Sequence, residues 1–165
     1  ESGKDSGTEN TPGIVGMGAA AAAMNRNLSN GELDRVREMR DAFEKKVIAG
    51  VSGVTPNGSR DYRLPNTSHL SFDRCEAAGL LILLDEAGIA CSAGSACMTG
   101  KQKPSHVQLA MGIPEERAKS SLRISFSVLN TIEEAMTAAD AVIRSVEKLR
   151  RVQGLGVGPV QVYTP

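Results

Sequence analysis

Cys97 stands in the polar stretch Ala93 to Pro104, with Ser95 before it and Lys101 and Lys103 shortly after. A thiol is nucleophilic only as its thiolate, and nearby cations with partial exposure favour that form. The stretch has no periodicity and reads as a loop, which would let a nucleophile travel between donor and acceptor. The plain alternative is an incidental surface cysteine beside two solvated lysines. Cys91, within the apolar run Ile89 to Ser92, reads as a small core residue. Cys75 fits either a buried site or a helix start. Cys91 and Cys97 are separated by five residues, which is not a usual zinc spacing, so Cys75, Cys91, Cys97 and His106 do not read as a metal site.

Arg123 lies between Leu122 and Ile124 in a segment that alternates as a strand does. A guanidinium there needs a partner, and a carboxylate matches its fork best. That carboxylate belongs either to a substrate or to an internal Asp or Glu; on an edge strand the side chain would simply reach water. Ser6 to Asn10 precedes a helix start, where free amides and the positive dipole end favour an anion, although such pairs are also ordinary caps. His69 and His106 read as hydrogen-bonded structural residues.

The elements that must position these groups follow from pattern. Thr11-Pro12 opens a helix through Met24, and Asn25 to Gly31 predicts a break. Leu33, Val36, Phe43 and Val47 recur at helical spacing from Glu32, with Gly50 as the stop. Val51 to Arg60 reads as short strand and turn, and Arg63 to Phe72 as a strand interrupted early by Pro65. Glu76 to Ala87 is a helix closed by Gly88, and Ile89 to Ser92 a short buried strand. Ser105 to Met111 is a short helix and Leu122 to Val128 a strand. Thr131 to Glu134 forms a capping box for a last helix with the stripe Ile132, Met136, Ala139, Ile143, Val146 and Leu149. Strands alternating with helices, two helices leading and one closing, predict an α/β or α+β layer: a small sheet covered by helices.

The 165 residues suit one domain, or one domain plus a piece of another. Nineteen basic and nineteen acidic side chains balance, which argues against a nucleic-acid binder. With three Phe, two Tyr and no Trp the core must be aliphatic. Three cysteines are too few and odd in number for a secreted disulfide framework, so a reducing compartment, the cytoplasm, is expected. No apolar run approaches the roughly 20 residues of a membrane span.

Read together, Ser92-Ala93-Gly94-Ser95-Ala96-Cys97, Pro104-Ser105-His106-Val107 and Leu122-Arg123-Ile124-Ser125 resemble the C-terminal part of the NifS/IscS-like cysteine desulfurases, pyridoxal-phosphate enzymes of fold type I. Gly7-Thr8-Glu9-Asn10, Pro12 to Gly16, Leu64-Pro65-Asn66 and Ser71-Phe72 extend the likeness over Gly7 to about Arg150. The chain departs from the family at Asp5, His69 and Met98, and it has no His-Lys pair to supply the cofactor lysine.

The resemblance implies a role for each candidate. Cys97 would take the sulfur of L-cysteine as a persulfide and leave alanine. Arg123 would hold the substrate carboxylate. Thr8 would reach the phosphate of pyridoxal phosphate in a neighbouring subunit of a homodimer. A sulfur-acceptor or iron–sulfur scaffold protein would receive the sulfur. It further implies that residues 1–30 end a large cofactor domain otherwise missing here, that 31–152 form the C-terminal small domain, and that 153–165 are a loose tail. A selenocysteine lyase or related enzyme of the same family, and a non-enzymatic thiol-carrying module, stand as alternatives.

Overall fold

The computed structural model describes residues 7–93 and 104–154. The chain begins with α1 (Thr11–Ser29) and α2 (Glu32–Gly50). The break predicted within Asn25 to Gly31 falls at its end: helix continues to Ser29, whose hydroxyl donates to the Asn25 carbonyl at 2.9 Å. The chain turns instead at Gly31, whose φ of 81° favours glycine. α2 buries Val36, Met39, Phe43 and Val47 along one stripe. At its end Gly50 lets the last helix approach, because a Cβ there would collide with Ile143.

Four strands follow: β1 (Val54–Pro56), β2 (Thr67–Phe72), β3 (Ser92–Ala93) and β4 (Ser121–Ser125). They form one antiparallel sheet in the order β1-β2-β4-β3. β2 starts only at Thr67, after Pro65, and the residues before it are tied to α2. Arg63 forks onto Glu44 at 2.7 and 2.9 Å, while Arg40 donates to the Leu64 carbonyl at 2.9 Å. The expected Ile89 to Ser92 strand is shorter and later. Ile89 closes α3 (Ala77–Glu86) by donating to the Leu84 carbonyl, with Gly88 at φ 75°.

Two short helices, α4 (His106–Ala110) and α5 (Glu115–Lys119), lead into β4; pattern had indicated only the first. α6 (Ile132–Gly154) carries the expected capping box. The Thr131 hydroxyl accepts from the Glu134 amide at 3.2 Å, and the Glu134 carboxylate accepts from the Thr131 amide at 3.0 Å. The helix buries Ala139, Val146 and Leu149 of the expected stripe together with Ala135, Ala138 and Val142; Met136 and Ile143 pack half-buried against the core, and Ile132 is exposed.

α2, α3 and α6 cover one face of the sheet. Leu70 and Phe72 of β2 and Leu122 and Ile124 of β4 point into that layer and join Phe43, Leu80, Leu84 and Val142 in one core. Each such side chain contributes roughly 1.5–3 kcal/mol on burial. The structure is thus the small helix-covered sheet that the sequence predicts.

Candidate functional site

The opposite sheet face carries Thr67, His69 and Ser71 of β2 and Ser121, Arg123 and Ser125 of β4, because successive residues of a strand alternate sides. At one end this face is sealed. Asn57 donates to the Ser71 hydroxyl at 2.7 Å, Ser71 and Ser121 lie 2.9 Å apart, and Ser121 donates to the Arg117 carbonyl of α5 at 2.8 Å. At the other end it is open. There Arg123 is paired across the ladder with His69 on one side and Ser92 on the other.

Arg123 is exposed and makes no hydrogen bond or ion pair with a described residue. The internal-acid reading of this guanidinium therefore fails: no Asp or Glu among the described residues meets it. A strand that points an unpaired cation off an open sheet face can bind a carboxylate from outside the fold. The arginine nearby differs. Arg63 is neutralised by Glu44 and Asp41, and the Glu44 bond raises its affinity for its proton.

His69 is half-buried beside a cleft of about 290 Å³ that Asn57, Ser59, Tyr62, Arg63 and Met111 also line. Its Nε2 lies 2.7 Å from Nε2 of Gln108, a buried residue of α4. Burial and then the Arg123 charge lower its affinity for a second proton, so the ring is neutral at pH 7. Sequence reasoning identified a hydrogen-bonded histidine, but not its place beside Arg123, which depends on strand register.

Cys97 lies outside the described residues. The two described thiols are poor nucleophiles. Burial pushes Cys91 up to about 11, with Asp85 adding to it, and burial also raises Cys75 against the opposing influence of Arg150. Among the described residues no group of His, Cys, Asp and Glu is arranged to hold a metal ion.

The turn before α1 does not form the expected anion nest. Thr11 donates to the Glu9 carbonyl, Pro12 has no N–H, Gly13 donates to the Asn10 side chain at 3.1 Å, and Ile14 donates to the Asn10 carbonyl. What remains is the exposed hydroxyl of Thr8, which bonds no described residue. One hydroxyl does not by itself hold a pyridoxal phosphate; Lys46 and Lys119 are engaged with Asp140 and Glu115.

The sequence model of the aminotransferase class-V family matches residues 2–137. The chain belongs to that family. It is 38% identical over 152 residues to a cysteine desulfurase of Gluconacetobacter diazotrophicus and 39% identical over 163 residues to the cysteine desulfurase NifS of Azotobacter vinelandii. Those alignments take in 92% and 98% of this chain but 38% and 40% of the relatives, so the chain spans about two fifths of their length. The same class-V architecture appears in a NifS-like protein from Rickettsia africae, with a TM-score of 0.71, 33% identity, and 89% of this chain set on 36% of that one. A second NifS-like protein superposes at a TM-score of 0.75 with 28% identity, over 87% of this chain and 36% of that one. No described helix is long and apolar enough to cross a membrane.

Proposed function

We propose that this chain is the substrate-gripping and sulfur-accepting portion of a cysteine desulfurase. The observation that carries the reading is Arg123: a guanidinium on the open face of the sheet with no partner among the described residues, in a chain 38–39% identical to cysteine desulfurases over nearly its whole length. Arg123 takes the carboxylate of L-cysteine and fixes the position of its Cβ–S bond. The Cys97 thiolate bonds to the substrate sulfur as the Cβ–S bond breaks. The carbon keeps the electron pair and takes a proton to become the methyl of alanine, and Cys97 is left as a persulfide.

Pyridoxal phosphate, when bound, supplies the electron sink for this chemistry. Thr8 offers it one phosphate hydroxyl, and the lysine and ring pocket come from the part of the relatives that this chain does not span. Residues 1–30 then end the large domain and 31–152 are the small domain, whose last helix runs on to Gly154 rather than giving way to a tail at 153. α1 supports that division. It buries no residue, and Ile14, Val15, Met17 and Leu28 are all exposed, as expected of a helix made to pack on a further domain. The enzyme works as a homodimer in the cytoplasm, where thiols such as the free Cys75 and Cys91 stay reduced, and passes its sulfur to an acceptor or iron–sulfur scaffold protein.

The test is made on the longer polypeptide that carries these residues, loaded with pyridoxal phosphate and given L-cysteine and a reductant. Alanine and sulfide should appear in equal amounts, and Cys97→Ala should abolish both. Sulfide that persists undiminished without Cys97, or none from the unaltered protein, would overturn the assignment.

A further inference from the structure

Gln108 is 4% exposed, and its side-chain nitrogen faces Nε2 of His69 at 2.7 Å while its Oε1 has no partner. The two possible amide orientations are not equivalent. With nitrogen toward the ring, one carbonyl oxygen is left over. With oxygen toward the ring, a buried NH2 with two hydrogens is left over, and orphaned donors are the rarer and costlier of the two. The first arrangement makes the ring Nε2 an acceptor, and the only proton of the neutral imidazole then sits on Nδ1. A cationic ring would set N–H against N–H at this contact.

Nδ1 has no partner among the described residues, and neither has Arg123. The two residues are direct cross-strand partners on the open face, where side chains start about 5 Å apart. Two adjacent donors with no acceptor form a site for one carboxylate.

We propose that His69 is a second ligand of the substrate carboxylate: its Nδ1–H, fixed in that tautomer by Gln108, donates to the group that Arg123 grips. The inference rests on the desulfurase reading and adds a contact residue, His69, and a positioning residue, Gln108. A neutral donor beside the guanidinium sharpens selection, because a substrate without a carboxylate leaves the half-buried His69 donor and the guanidinium unanswered.

Two measurements test it, and the first does not depend on activity. The chain has only two histidines, His69 and His106, so long-range 1H–15N spectra of the 165-residue chain resolve the His69 tautomer. The Nδ1–H form is expected at neutral pH, with a mixture of tautomers in Gln108→Leu. Its Nδ1 resonance should move on adding L-alanine and stay still with ethylamine, which lacks the carboxylate. An Nε2–H ring, an imidazolium, or no difference between the two amines overturns the proposal while leaving the desulfurase reading intact. In the cofactor-loaded longer polypeptide, His69→Ala should raise KM for L-cysteine about tenfold with little change in kcat. An unchanged KM, in a protein that releases sulfide normally, also overturns it. Absence of sulfide from the unaltered protein strikes the desulfurase reading instead, and the spectra then decide the carboxylate site alone.

Discussion

The two faces of the sheet are built from the same strands by alternate residues, and they do opposite work. Toward α2, α3 and α6, β2 and β4 send Leu70, Phe72, Leu122 and Ile124, all buried in one apolar layer. Toward the other side they send His69, Ser71, Ser121 and Arg123, of which the serines are sealed under α5 and the other pair is left open. A one-residue step along β4, from Leu122 to Arg123, passes from a fully buried side chain to an exposed guanidinium with no partner among the described residues.

That contrast can be broken from either side. Leu122→Ala should have the largest effect, about 2–5 kcal/mol of lost stability through the cavity it leaves, read by urea unfolding. Arg123→Ala should leave stability within about 0.5 kcal/mol, as for an exposed residue without partners. In the cofactor-loaded longer polypeptide it should instead cost roughly 1.5–3 kcal/mol in kcat/KM for L-cysteine. If Arg123→Ala unfolded the protein as Leu122→Ala does, the division of labour between the faces would be wrong. Thr131→Ala, at the start of the helix that supports the apolar face, should cost about 1 kcal/mol of stability and nothing in substrate affinity.

The smallest effect is that of pH on His69. Its proton affinity in the fold lies below the ordinary value of 6.5, because of burial first and Arg123 second. The unfolded chain therefore binds the proton more readily. This contribution is complete above the ordinary value and is lost as pH falls from there through the lower folded value. Urea midpoints measured at about pH 7.5 and about pH 5 should differ more in the wild type than in His69→Asn. In Arg123→Ala the difference should shrink, since one of the two causes is gone.

How much of this was legible in the sequence depended on whether the determinant was local. The α6 capping box needs only Thr131 and Glu134, three residues apart, and was readable; so was α2, whose stripe is set by helical spacing. The strand bearing Arg123 was readable from alternation. Most of the face of α6 was readable too: Ala139, Val146 and Leu149 are buried, Met136 and Ile143 pack against the core with Ile143 against Gly50, and only Ile132 at the first turn is exposed. α1 ran past Asn25 because nothing there forces a left-handed turn, while Gly31 does. The amides that open α1 are taken up locally, by the Glu9 carbonyl and by Asn10, with Pro12 offering none, a closure set by cap geometry that residue types alone do not show. The His69–Gln108–Arg123 grouping joins β2, α4 and β4, and only register and docking bring those segments together.

The central claim is that the open face grips the amino acid whose sulfur passes to Cys97. It is tested most directly by the mass of the Cys97-bearing peptide after brief exposure of the cofactor-loaded longer polypeptide to limiting L-cysteine, with Arg123 intact and with Arg123→Ala. The account predicts one added sulfur atom on Cys97 in the first protein and at least about a tenfold smaller modified fraction in the second. No added sulfur with Arg123 intact, or equal modification in both proteins, would contradict it.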